Sequence, residues 1–584
     1  METRSYSGRV QPLLQQVFGI DVRALAALRI ALALLLLTDL AIRSTDLIDH
    51  YTDVGILPRP ARITVFELRE ETSARFWWSI HMLNGTAWFQ GGLFIVAAAL
   101  ALCLLLGYRT RLVTLLSWLM LVSLHSRMPS VLQGGDVLLR SLLCWSLFLP
   151  LGAVASVDHA FGPRRPERPP AAALSLASFA LLLQVAIVYW CSAAAKSDPA
   201  WWRDSSAVYY ALQFDLYVKP LGIRLREYPR CLEGLTFCTY WFEWIGPALA
   251  FLPWRTGFWR LLVVAGFWGF HLGLALTLHL GLFSYVAMTA WLVFLPAAIW
   301  DRLAIWTSSV RSAIVRRVRP RWDRLAPRLF RRPAPAWFVP GWGSSVCVAG
   351  LLGGVLYVNY LTLLPAGAAR HGPRWPHHVI AVLRLEQEWT MFAPCPTRDD
   401  GWFVVRGVLV DGSEVNLWEP ERDLTWVKPQ LPSAHFPNHR WRKYLSNFRW
   451  NQDTEQLSCF SDWLRARWDD SYSGGRPERE VELVQIIFFL EETPPPGKPP
   501  RPLEPEVLWH WNYKEPDEPG AEETKARTET DKLDTHDTLP GIPTSDKDVG
   551  IRFRRIIAQV SRTFEGTRKA APISSLVEVL LGVF

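Results

Sequence analysis

Over roughly its first 365 positions the chain repeats apolar runs of close to twenty residues, and this recurrence limits what it can fold into more than any other feature. An α-helix rises about 1.5 Å per residue, so about 20 apolar residues match the hydrocarbon core of a bilayer. Nine stretches read as spans: 24–43, 88–106, 112–128, 137–156, 171–195, 232–252, 259–279, 281–300 and 342–364. The first lacks a small-residue cleavage site and leads into a long polar loop, so it reads as a span and not as a signal peptide. Thirty tryptophans suit such a chain, because the indole ring favours the headgroup level.

The net charge of +8 is not a nucleic-acid signature, since the arginines cluster beside the apolar runs. With the N-terminus inside, the inner loops become "GYRTR" (107–111), "GPRRPERPP" (162–170), "PWRTGFWR" (253–260) and the segment 301–335, all of them basic. Retention of Arg and Lys on the cytoplasmic side gives that orientation. The run 316–332 then holds a loop against an anionic inner leaflet. Residues 1–23 are read as a cytoplasmic N-terminus and 24–365 as the membrane domain. Everything beyond lies outside the cytoplasm. An inverted repeat of broken spans, the mark of many transporters, is not visible.

The last 220 or so residues are polar. Asp411-Gly412 separates "WFVVRGVLV" from "EVNLW", a hairpin signal. "VELVQIIFFLEE" (481–492) is β-branched and aromatic, and too short to span as a helix; it reads as a central strand. Segment 436–468, with "FSDWLRARW", reads as helical. Together these predict a small extracytoplasmic α+β domain over 366–493. From 494 to 549 the proline-rich and acidic composition predicts disorder, because too little apolar surface is present to offset ordering entropy. Residues 550–584 read as a C-terminal amphipathic helical segment. The fold expected is mostly α: a polytopic transmembrane helix bundle of about nine spans, a small α+β domain and a disordered tail.

Five cysteines, Cys103, Cys144, Cys191, Cys238 and Cys347, fall in expected spans, and Cys231 lies near an interface. Cys395 and Cys459 lie in the external half and could pair in an oxidising compartment. No Cys/His spacing suits zinc, and no haem-attachment motif is present, so no metal is expected.

Ionisable residues inside apolar runs are costly and point to function. They include Arg29, Asp39, Glu243, His271 and His279. Asp136 and Arg140 are four residues apart on one helix face, the spacing of an intrahelical ion pair. In "IVYWCSAAAKSDPAWWRDSSAVYYAL", Lys196 sits where an apolar run ends, just before Trp201 and Trp202. Two readings stand. A lysine there can snorkel to the headgroups beside an aromatic belt. A lysine half-desolvated by apolar walls can instead act as a base toward a weak acid such as a hydroquinone.

Several segments carry a resemblance: "ALRIALALLLLTDLAIRSTDLIDHYTDVGILP", "LLLGYRTRLVTLLSWLMLVSLHSR", "GGDVLLRSLLCWSLFLPLGAVASVD" and "WTMFAPCPTRDDGWF". Over about residues 15–420 the chain resembles the horizontally transferred transmembrane (HTTM) family, which includes the vitamin K-dependent gamma-carboxylase. The resemblance implies a carboxylase-like lyase of a bacterial inner membrane that uses reduced vitamin K or a menaquinol, with carbon dioxide and oxygen as co-substrates. A peptide or protein substrate would be met on the extracytoplasmic side. The family's base falls on Lys196 and its histidine-bearing span on His271. Asp136, Arg140, Trp202 and Glu243 become cofactor-pocket residues. Ser205 stands where the family carries glycine after "W-R-D". The alternative function is a non-enzymatic membrane scaffold whose external domain binds a partner.

Overall fold

The computed structural model describes residues 3–68, 78–161, 171–308, 341–364, 373, 375–451, 454–499 and 501–514. Segment 162–170, expected on the inner side, most of the basic segment 301–335, the tail beyond 514 and the expected helix at 550–584 lie outside the described residues.

The chain is mostly helical. The helices that matter for the site are α1 (Val22–Thr45), α2 (Ala87–Leu106), α3 (Thr110–Arg127), α4 (Gly134–Ser146), α5 (Leu176–Ala195), α6 (Pro229–Leu249), α7 (Thr256–Thr277), α8 (Phe283–Ala290), α9 (Ala297–Trp306), α10 (Trp342–Thr362), α11 (His439–Asn451) and α12 (Thr454–Ser471). Their boundaries follow local chemistry. Asp21 caps α1 by accepting from the Arg23 backbone N–H at 2.8 Å. Helix α2 stops at Gly107, whose φ of +70° suits a residue without Cβ. A Cβ there would overlap the Arg29 guanidinium.

Among the described residues five helices are long and apolar enough to cross a membrane: α1, α2, α5, α7 and α10. A sixth is reached if Phe283–Phe294 and Ala297–Trp306, bent by 100° at a break, count as one span. The remaining expected spans form helices that do not meet that measure by themselves. Helix α3 carries His125 and Arg127 in its last turn. Helix α4 has only 13 residues. Helix α6 is long enough, but Glu233, Glu243, Pro247 and several aromatic residues lower its apolarity.

The sheet is antiparallel, in the order β2-β1-β3-β4, from β1 (Asp399–Leu409), β2 (Glu414–Asn416), β3 (Val481–Glu492) and β4 (Glu504–Asn512). Strand β3 is central and pairs with β1 from Asp399↔Glu492 to Leu409↔Val481. Gly412, at φ +83°, makes the β1–β2 turn. Strand β4 lies inside the segment 494–549 read as disordered, and corrects that reading over Glu504–Asn512. Its run "EVLWHW" pairs with β3 from Leu490↔Glu504 to Leu483↔Asn512.

Helices α11 and α12 pack on the sheet through Trp441, Tyr444, Phe448, Phe460 and Leu464 against Val405, Val484 and Ile486. Burying each large side chain of this kind contributes about 1.5–3 kcal/mol. The same core continues into Leu40, Tyr51, Phe94, Leu124 and Met128 from the apolar half. The sheet unit therefore shares its interior with the helices, and Met1–Tyr513 forms one compact unit. Cys395 and Cys459 are not joined in a disulfide.

Candidate functional site

Lys196 follows the last residue of α5. Its ammonium turns back along the helix and donates to Ser192 Oγ at 2.7 Å, one turn earlier. It also forms an ion pair with Glu243 of α6. The Trp201 ring lies beneath it, 4.8 Å from Nζ to the centroid. Only 2% of the lysine side chain and 7% of the glutamate side chain are exposed. The amine does not snorkel, because its charge is answered inside the protein.

A second strap of chain holds this arrangement. Trp201 Nε1 donates to the Phe392 carbonyl at 3.0 Å, and the Asp198 N–H donates to the Pro394 carbonyl at 3.4 Å. The "WTMFAPCP" segment thus fixes the tryptophan that faces the amine. Ser205, in the position where glycine was expected from the resemblance, has φ +51°, a left-handed conformation that favours glycine.

Beside Lys196 a cavity of about 340 Å³ opens, walled by Ala193, Ala194, Trp202, Tyr240, Trp241 and Trp244. Trp202 is 53% exposed and donates from Nε1 to the Ser197 carbonyl at 3.2 Å. It forms part of the cavity wall, and Trp201 is the ring stacked beneath the amine.

His271 lies on α7 and is buried. Its Nε2 is 2.7 Å from the Tyr189 hydroxyl, which accepts from Trp291 Nε1 at 2.9 Å. That leaves the Tyr189 proton for His271. His271 Nδ1 has no hydrogen-bond partner. Tyr189, Ser192 and Lys196 sit at i, i+3 and i+7 of one chain segment, so they share a face. The structure therefore brings Lys196, Glu243 and His271 to neighbouring positions along α5.

Asp136 and Arg140 belong to a different cluster, and they do not form the intrahelical ion pair that their spacing suggests. Asp136 accepts from Arg43 Nη2 at 2.8 Å and from Arg440 Nη1 at 2.6 Å. Asp39 accepts from Arg43 Nε at 2.7 Å and from Arg440 Nη2 at 2.6 Å. Two guanidinium forks fill both carboxylates, and this wins over the single contact α4 could offer. Arg140 instead donates to the Arg384 carbonyl and lies 3.1 Å from His125 Nδ1. All five charged residues here are buried. Asp39, His125 and Asp136 lie close enough together to suggest a metal site. Arg43 and Arg440 already supply the positive charge there, so the donor set does not suit a cation.

Sequence reasoning missed Ser192 and Tyr189 as neighbours of the lysine. It also missed an amide pair: Gln184 and Gln387 exchange hydrogen bonds of 2.9 and 2.8 Å, with Trp145 and Trp389 donating into it. The available signal was polarity alone, a glutamine inside an apolar run.

The sequence matches no family model, no curated protein and no solved structure. Fold and site define a mostly helical chain with several apolar helices compatible with a multi-pass membrane protein, and a small antiparallel sheet.

Proposed function

We propose that the chain is a carboxylase-like membrane enzyme of the HTTM kind, using a reduced naphthoquinone, with the Lys196–Glu243 pair as its proton-handling centre. The reading extends to the full architecture: about nine spans in an inner membrane, the N-terminus cytoplasmic and the sheet unit outside.

One observation carries it. A dry amine–carboxylate pair stands at the edge of an aromatic-walled cavity of about 340 Å³. Small-molecule pockets run from about 300 to 1,000 Å³. Flat indole walls fit a quinol ring, and the exposed Trp202, Trp241 and Trp244 leave a way in from the lipid side. The residues present therefore suit the group. Bound there, a reduced quinone would supply, with oxygen, the strong base that removes the γ-hydrogen of glutamate before carbon dioxide adds.

The chain's own part is proton transfer and water exclusion. As an ammonium, Lys196 has no lone pair and cannot take a proton. Moving one proton from Nζ to Glu243 would give a neutral amine and a neutral acid. The free Nζ then accepts a proton from a hydroxyl in the cavity. Trp201 shields the pair, and the strap at 390–396 holds Trp201 in place. The tyrosine–histidine pair of Tyr189 and His271 offers a second proton path on the same helix face.

The test uses the full chain in lipid nanodiscs with menaquinol, labelled bicarbonate and a glutamate peptide. Quinone epoxide should form with wild type and be lost in Lys196→Ala. A structural clamp between α5 and α6 is the competing explanation. Replacing both partners by apolar residues (Lys196→Met with Glu243→Leu) separates the two. Exchanging a buried pair for packed hydrocarbon is often neutral for stability. Intact folding with lost turnover fits the proposal; undiminished turnover in either variant rejects it.

A further inference from the structure

Away from the Lys196 cavity, a larger cleft of about 790 Å³ lies between residues 46–54 and helices α11 and α12. Three indoles line it, Trp418, Trp441 and Trp463, with the buried Trp441 packed between His50 and Trp463 behind the other two. Four carboxylates line it as well, Asp46, Asp49, Glu419 and Asp470. The positive groups on its lining are Arg467 and, when protonated, His435.

The acids are unevenly satisfied. Asp46 accepts from Asn438 Nδ2 at 2.6 Å and from Trp441 Nε1 at 3.1 Å. Glu419 lies 2.7 Å from His435 Nδ1 and 3.2 Å from Arg422 Nη1. Asp49 is half-buried beside Asp46. Burial first, and the Asp46 charge second, push its carboxyl above the usual range, and the Arg467 charge and a hydrogen bond from Trp463 partly oppose them. By count, the four lining carboxylates outnumber Arg467 and His435, so the lining is acidic overall.

The walls select the kind of cation. Indole faces attract positive charge through their quadrupole and do not coordinate metal ions. Asp46, Asp49 and Asp470 are not grouped tightly enough to share one ion among the described residues. The chain itself shows the preferred contact, since the Arg467 guanidinium stands 5.4 Å over the Trp463 ring.

We propose that this cleft is a binding site for an organic cation, a guanidinium or ammonium compound with an apolar flank, held between the tryptophan faces with its charge toward Asp49 and Asp470. The inference is independent of the quinol reading, because no residue of the Lys196 site takes part.

The probe is arginine amide, titrated calorimetrically into the full chain in detergent micelles. Citrulline amide, of matching size but without the side-chain charge, is the control. Arginine amide should bind saturably and citrulline amide at least tenfold more weakly. Asp49→Asn with Asp470→Asn should weaken arginine amide at least tenfold, with the thermal midpoint unchanged or raised. Trp463→Phe should bind with intermediate affinity, since a smaller π face remains. Equal binding of the two amides, undiminished affinity in the double variant, or no saturable heat from arginine amide would each overturn the proposal.

Discussion

Asp400, at the start of β1, makes the sheet region sensitive to pH. It is 2% exposed. One oxygen accepts from the Asp215 backbone N–H at 2.8 Å, and the other has no partner. Carboxylate oxygens of Asp215 and Glu491 lie within 4.8 Å. Lys428 bonds both of these neighbours, and Arg226 pairs with Asp215 at 2.6 Å. Burial, reinforced by the Asp215 charge, pushes the Asp400 carboxyl up to about 7. The ordinary value is 3.8. Between these two values the folded chain holds a proton that the unfolded chain has released, so stability falls as pH rises from 4 to 7 and then levels off. About three pKa units at about 1.4 kcal/mol each give at most ~4 kcal/mol. Asp400→Asn removes the titrating group, keeps an oxygen for the Asp215 N–H and places an amide donor toward the acidic neighbours. Unfolding midpoints in detergent from pH 4 to pH 8 should therefore converge at the acid end, with the variant ahead by up to ~4 kcal/mol at pH 8. Parallel profiles, or a variant weaker than wild type at pH 8, would refute the reasoning.

Two further outcomes follow from packing and charge. Arg440→Ala leaves Asp39 and Asp136 sharing one guanidinium in a buried site and should cost about 3–5 kcal/mol, seen as a lowered midpoint and faster proteolysis of the sheet unit. Gly401→Ala brings a Cβ to 1.9 Å from the Phe489 carbonyl at φ +152° and should cost about 1–3 kcal/mol by the same thermal assay, whereas alanine at the open, exposed Gly92 should cost nothing or stabilise slightly.

The parts legible in the sequence were those encoded locally. The Asp411-Gly412 turn rests on one residue's access to positive φ, and Val481–Glu492 on a run of strand-forming side chains. Both stand where they were read. Strand β4 was hidden because its short apolar run sits among prolines and acids, and composition averaged over the whole segment outweighed it. Lys196 and Glu243 were each visible as awkward charges. Their pairing was not, because 47 residues separate them and only the packing of α5 on α6 brings them together. Spacing alone misassigned Asp136. The four-residue interval to Arg140 was real, but Arg440 lies 304 residues away and no local pattern announces it.

That last distance has a consequence for biosynthesis. Asp39 and Asp136 emerge from the ribosome early, and of the two guanidinium forks that hold them in the finished cluster Arg43 alone emerges with them. The second arrives with α11, 401 residues after Asp39. Until then the two carboxylates share a single guanidinium fork at the place where the late-made half must dock. Docking of the sheet unit is thus also the step that completes the bonding of both carboxylates, and a nascent chain halted short of position 440 would leave Asp39 and Asp136 half-satisfied.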